Sequence, residues 1–174
     1  MKITPEKLDE LIKIVHLAGI EIIKIYKKKV TKKYKPDNTP VTNADIRAND
    51  IICNALKFHF PNISIVSEEQ VKKGKAEKRF WLVDPLDGTK EFLRGNGEFT
   101  VNIGLIENKK PVFGIIYMPT KNKLYFTKDK KSYFSKLNKK GKINNIKKIK
   151  VKKRNKNIVI LSRSHSLAKS EIEK

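Results

Sequence analysis

The sequence predicts a layered α/β protein in which two N-terminal helices pack on a largely antiparallel sheet made from about Ile63 to Val151. Three observations carry this expectation. Leu8, Leu11, Ile12, Val15, Ala18, Ile22 and Ile25 recur at helical spacing. Ile51, Ile52, Ala55 and Leu56 supply a second, shorter apolar face. Beyond Asn62 the apolar residues fall instead into short runs broken by turn formers and charges, as strands and hairpins do.

Thr4 reads as the N-cap of the first helix, with Pro5 at its first position and Glu6 in its first turn. The helix is expected to run to about Lys28, where Lys27 to Lys29 complement its dipole. His16 is expected on its flank. The segment from Lys35 to Pro40 holds two prolines and reads as a loop. Thr42 or Asn43 then caps the second helix, with Asp45 in its first turn, and Pro61 stops it. Cys53 falls in that helix's apolar pattern and reads as a buried thiol. His59 reads as a partner of the helix C-terminus. Asn62 to Val66 is a short strand ending at Ser67, Glu68 and Glu69, and Val71 to Lys78 is a polar loop. Phe80 to Val83 is the next strand, and Thr89 to Leu93 forms a helical turn. Phe99 to Ile106 and Pro111 to Tyr117 make a hairpin across Glu107 to Lys110. Leu124 to Thr127 and Ser132 to Phe134 continue the antiparallel pattern, and Ile158 to Leu161 is a last strand.

The length of 174 residues suggests one domain with a real core. A hydrophobic fraction of 39% beside 33% charged residues excludes a disordered chain. No apolar run reaches the length of a membrane span. A single cysteine excludes an internal disulfide and fits a reducing, cytoplasmic location. The net charge of +22 implies attraction to polyanions: nucleic acids, nucleotides or anionic lipids. That charge leaves open peripheral association with an anionic membrane. Much of the excess lies between Lys139 and Lys156, where isoleucines alternate with lysines as in a half-exposed strand. No aromatic residue stands there to stack bases. Nucleic-acid binding is therefore the weaker reading of the charge, and a Lys-, Asn- and Ile-rich composition from an AT-rich genome is the plainer one.

Residues Trp81 to Phe92 carry most of the chemical information. They read W-L-V-D-P-L-D-G-T-K-E-F, an apolar strand ending in a tight turn with Asp84 and Asp87 three residues apart. Two neighbouring carboxylates repel each other and call for a counter-charge. Mg²⁺, which prefers oxygen ligands, is the natural one. Gly88 lets a phosphate approach the backbone. Glu68 also ends a strand. If the two strands are neighbours, Glu68, Asp84 and Asp87 meet and can hold two or more cations around a phosphate. Asp45, at a helix start, is expected to have a depressed pKa. The chain has no P-loop, no Cys/His zinc spacing and no nucleophile elbow.

Three segments, Pro40 to Asp45 (PVTNAD), Val66 to Glu69 (VSEE) and Trp81 to Phe92, together resemble the inositol monophosphatase superfamily. Lys90-Glu91-Phe92, Asn96 to Ile103 and Ser162 to His165 are similar to its 3'(2'),5'-bisphosphate nucleotidase branch. The resemblance implies an αβαβα sandwich, of which this chain matches the first part. It also implies Mg²⁺-dependent removal of the 3'-phosphate of adenosine 3',5'-bisphosphate. Glu68, Asp84 and the Leu86 carbonyl would bind one metal, and Asp84 and Asp87 a second. Gly88 and Thr89 would hold the phosphate, where Glu68 and Asp87 also face the substrate. Asp45 and Thr89 would polarise the attacking water, and Lys90 would help neutralise the phosphates. A sugar phosphatase of the inositol monophosphatase or fructose-bisphosphatase type is the alternative, which Lys90-Glu91-Phe92 disfavours. Homodimers are common in this family.

Family members carry a later Trp-Asp motif, whereas the one tryptophan here, Trp81, precedes Leu82. The expectation is a truncated homologue. Residues 1–155 would form the metal-binding domain and 156–174 the start of a shortened second one. The second metal would bind weakly, and activity would need a second polypeptide supplying the remainder.

Overall fold

The computed structural model describes residues 3–28, 32–34, 40–70 and 77–151, with side chains described for all but 32–34, 40 and 41. Helix α1 spans Pro5–Tyr26 and α2 spans Asn43–His59. A small antiparallel pair, β1 (Lys32–Tyr34) and β2 (Pro40–Thr42), lies between them. There follow β3 (Ser64–Ser67), β4 (Arg79–Asp87), the short helix α3 (Thr89–Arg94), β5 (Thr100–Glu107) and β6 (Lys110–Met118). After a 3₁₀ turn at Pro119–Lys121 come β7 (Lys123–Lys128), β8 (Lys131–Lys136) and β9 (Lys147–Ile149).

Strands β3 to β9 lie in sequence order in one seven-stranded sheet. Only the β3–β4 pair is parallel; the other five are antiparallel. The parallel pair brings the ends of β3 and β4 to the same edge of the sheet, which is where the acidic residues lie. Two hairpins turn tightly, at Asn108-Lys109 and Asp129-Lys130. All four residues have positive φ (49°, 63°, 48° and 57°), as two-residue turns matched to the strand twist demand.

Both long helices cover one face of the sheet. Leu11, Val15, Ala18 and Ile22 of α1 and Ala48, Ile52 and Leu56 of α2 are fully buried. They share one core with Trp81, Val83, Val101, Ile103, Leu105 and Ile115 from the strands. The Leu, Ile and Val side chains among them each contribute roughly 1.5–3 kcal/mol on burial, so the core dominates stability. The expected architecture and the two helix starts hold. Thr4 caps α1, and Thr42 caps α2, where it accepts from Ala44 N. No helix of the described residues is long and apolar enough to cross a membrane.

Several local expectations need correction. Asp84 and Asp87 do not share a tight turn, because β4 continues through both of them. His16 is not on a flank. It is 9% exposed beneath Tyr117, with Nδ1 3.4 Å from the tyrosine hydroxyl, because α1 buries a wider face than the aliphatic stripe suggests. Among the described residues, the lysine-rich tract past Lys139 forms the three-residue β9 and an isolated bridge from Ile143 to Leu137. Ile158 to Leu161, Ser162 to His165 and the proposed 156–174 domain lie outside the described residues.

Candidate metal and phosphate site

Successive strand residues point to opposite faces, so positions i and i+3 ordinarily diverge. Asp84 and Asp87 escape this rule through a bulge. Asp84 pairs with Asn102 and Asp87 with Thr100, so β4 takes three steps while β5 takes two. Pro85 and Leu86 both turn inward and are buried, whereas Asp84 and Asp87 flank them on the outer side. Pro85, which cannot donate to a ladder, is tolerated because the ladder is already interrupted there.

Beside them, Glu68 N donates to Val83 O at 3.0 Å, which continues the β3–β4 register one residue beyond β3. The Asp84 carboxyl is pushed up from 3.8 to about 7, first by burial and then by the charges of Glu68 and Asp87. A hydrogen bond to the Glu68 side chain adds to this rise. Asp84 Oδ1 is buried without a hydrogen-bond partner. A desolvated carboxylate oxygen flanked by two further carboxyls suits a hard cation and little else. Among the described residues, however, no three His, Cys, Asp or Glu side chains are gathered into a ready-made ligand shell. Glu68 and Asp87 stand exposed beside it. Leu86 is buried in the core while its carbonyl accepts from Thr89 Oγ1 at 3.3 Å, which leaves that oxygen a second lone pair.

Asp45 and Thr89 come from separate elements and touch. Thr89 Oγ1 lies 3.2 Å from Asp45 Oδ1, while Asp45 Oδ2 accepts from Thr42 N at 2.8 Å and Thr42 Oγ1 at 2.6 Å. Asp45 thus closes a capping box at the start of α2 and reaches α3 with its other oxygen. The expectation of a depressed pKa is wrong. Asp45 is 2% exposed, and burial raises its pKa despite the lowering hydrogen bonds from Thr42 and Thr89.

Gly88 caps α3 with φ of 94°, and an added Cβ would lie 2.9 Å from the Glu98 carbonyl. Only glycine fits that approach. Lys90 projects from the first turn of α3 and is exposed. The hollow lined by Phe80, Leu82 and Ile106 contains none of Asp45, Glu68, Asp84 or Asp87.

Several polar residues near this edge escaped the sequence reading. Asn102 Nδ2 donates to Asp87 Oδ2 at 3.1 Å, and Thr100 Oγ1 holds the Asn102 amide at 3.0 Å. Asn49 and Ser67 are buried and hydrogen-bonded to each other at 2.6 Å. The spacing Asp45, Asn49, Cys53, four residues apart along one helix face, was a signal that could have found Asn49. Cys53 is buried as expected, donating to Asn49 Oδ1 at 3.3 Å. His59 Nε2 lies 3.5 Å from Glu10 on α1 rather than serving only its own helix end.

Helices on one face of this sheet, a bulged strand presenting two aspartates and a Thr–Asp pair beside it define a layered α/β protein with a candidate cation and phosphate site. The chain belongs to the inositol monophosphatase family, which it matches over residues 5–174. The 3'(2'),5'-bisphosphate nucleotidase CysQ of Buchnera aphidicola is 42% identical over 91% of this chain and 60% of its own length. The enzyme of that name from Escherichia coli K12 is 38% identical over 91% of this chain and 64% of its own length. Among solved structures, CysQ from Bacteroides thetaiotaomicron has a TM-score of 0.70 and 33% identity, over 94% of this chain and 65% of that one. The chain therefore spans about 60–64% of the length of these curated relatives.

Proposed function

We propose that this chain is a Mg²⁺-dependent phosphatase of nucleotide bisphosphates that hydrolyses adenosine 3',5'-bisphosphate to AMP and phosphate. The observation that carries the reading is Asp84, whose carboxyl is pushed up to about 7 with a buried, unpartnered oxygen between Glu68 and Asp87. The relatives named as 3'(2'),5'-bisphosphate nucleotidases support the substrate class.

Glu68, Asp84, the Leu86 carbonyl and Asp87 would hold Mg²⁺, which supplies charge neutralisation and a more acidic water at the phosphate. Phosphoryl transfer depends on in-line placement and charge compensation more than on covalent help. The backbone at Gly88 and Thr89 would receive the phosphate oxygens, and Lys90 would offset its charge. Thr89 Oγ would accept a hydrogen bond from the attacking water with its one proton turned to Asp45 rather than to the Leu86 carbonyl. The ionised Asp45 makes that hydroxyl a better acceptor. Water oxygen bonds to phosphorus as the bond to the ribose 3' oxygen breaks; one of the water's protons ends on that 3' oxygen and the other stays on the released phosphate.

The chain spans about 60–64% of its curated relatives' length, and a polypeptide covering the remainder is proposed to raise turnover. The test measures phosphate release from adenosine 3',5'-bisphosphate, inositol 1-phosphate and fructose 1,6-bisphosphate, with Mg²⁺, with and without such a polypeptide. Preference for the nucleotide, lost in Asp84→Asn, is expected. No release from it under either condition, or preference for a sugar phosphate, overturns the reading.

A further inference from the structure

One helical turn beyond Asp45, α2 makes a second tie to the same edge. Asn49 is 3% exposed, and its Oδ1 accepts from Ser67 Oγ at 2.6 Å and from Cys53 Sγ at 3.3 Å. Ser67 is 4% exposed and ends β3. Its hydroxyl accepts from Glu69 N at 3.4 Å, and its carbonyl accepts from Gln70 N at 3.1 Å. Between these bonds lies Glu68, whose own N–H is spent on Val83 O. The main chain on both sides of Glu68 is thus tied down, and the far end of the tie is α2. Without it, repulsion from Asp84 and Asp87 would favour a Glu68 backbone displaced toward solvent.

We infer that Asn49 is a positioning residue: acting through Ser67, it holds the backbone of Glu68 beside Asp84 so that both carboxylates can serve one cation. This rests on the metal-dependent reading proposed above. Asp45 and Asn49 stand four residues apart on one face of α2. The helix therefore sets the spacing between Thr89 on one side of the site and Glu68 on the other. A simple buried polar pair would affect folding stability alone. A positioning pair also affects cation affinity.

The experiment is calorimetric Mg²⁺ titration of the full chain, with thermal melting as the folding control. It compares wild type with Asn49→Ala, Ser67→Ala, their double variant, Ser67→Thr and Cys53→Ala. Ser67→Ala removes one oxygen and is the deciding variant. Each alanine variant at 49 or 67 is expected to bind Mg²⁺ about tenfold more weakly, the scale of supporting hydrogen bonds around metal ligands. The double variant should bind no more weakly than the weaker single one, since both remove one interaction. Ser67→Thr keeps the donor and should bind like wild type. Cys53→Ala should shift melting without changing Mg²⁺ affinity. Wild-type affinity in Ser67→Ala, or losses that add in the double variant, overturns the positioning role and leaves the metal site standing. Absence of Mg²⁺ uptake by wild type overturns the metal site itself, and the positioning role with it.

Discussion

Asn102 stands opposite Asp84 in the β4–β5 ladder, yet its side-chain amide donates to Asp87, at 3.1 Å. The bulge in β4 makes this reach possible by bringing the two aspartates onto one side of the sheet. Asn102 thus holds one Asp87 oxygen, and the proposed metal would take the other. Asn102→Leu should weaken Mg²⁺ binding by about tenfold, as lost supporting hydrogen bonds do. Melting should shift little, because Asn102 is only half-buried. Calorimetric titration beside thermal melting checks both outcomes.

Asp84 also sets a pH dependence of the metal-free protein. Its folded-state pKa, about 7, lies above the ordinary 3.8, so the folded form holds the proton more tightly than the unfolded chain. The stability this provides is fully present below 3.8 and is lost as pH rises toward 7. Asp84→Asn cannot ionise, so its stability relative to wild type should improve across that window. Mg²⁺ competes with the same proton, so its affinity for wild type should rise as pH approaches 7. Urea unfolding and Mg²⁺ titration at several pH values test these slopes. An Asp84→Asn curve parallel to wild type would sink the assignment.

The contact between Thr89 Oγ1 and Asp45 Oδ1 predicts a graded series. Thr89→Ala should lower the rate of phosphate release by about 100-fold or more, with little effect on Mg²⁺ affinity. Thr89→Ser retains the hydroxyl and should keep most of the rate. Asp45→Asn should behave like Thr89→Ala in rate. Single-turnover kinetics separate this loss from weaker substrate binding.

Gly88→Ala combines a left-handed backbone, φ 94°, with a Cβ 2.9 Å from the Glu98 carbonyl. It should cost about 1–3 kcal/mol. The loss should appear as a lower unfolding midpoint. Wild-type stability in Gly88→Ala would show that the turn relaxes easily.

Helical periodicity in residues 8–25, the caps Thr4 and Thr42 and the hairpin around Asn108-Lys109 were legible because local chemistry decides them. The proximity of Asp84, Asp87 and Glu68, the acidic residues of the proposed site, was legible for a related reason: they sit where apolar strand patterns stop. The pairing of Asp45 with Thr89 was expected from the resemblance rather than from spacing, and the two side chains lie 3.2 Å apart.

Other features depended on long-range placement. Burial, which no local pattern reports, raised the pKa of Asp45 against the expected pull of its helix start. His16 became a core residue because Tyr117, 101 positions away, covers it.

The sequence alone determined the two long helices, the hairpin around Asn108-Lys109 and the identity of the acidic groups, since spacing and side-chain chemistry are local properties. The tertiary structure decided that β3 runs parallel to β4, that a bulge gathers Asp84 with Asp87, and that α2 touches both the end of β3 and the start of α3. Those relations depend on which distant surfaces bury each other, and packing free energy is a property of the whole fold.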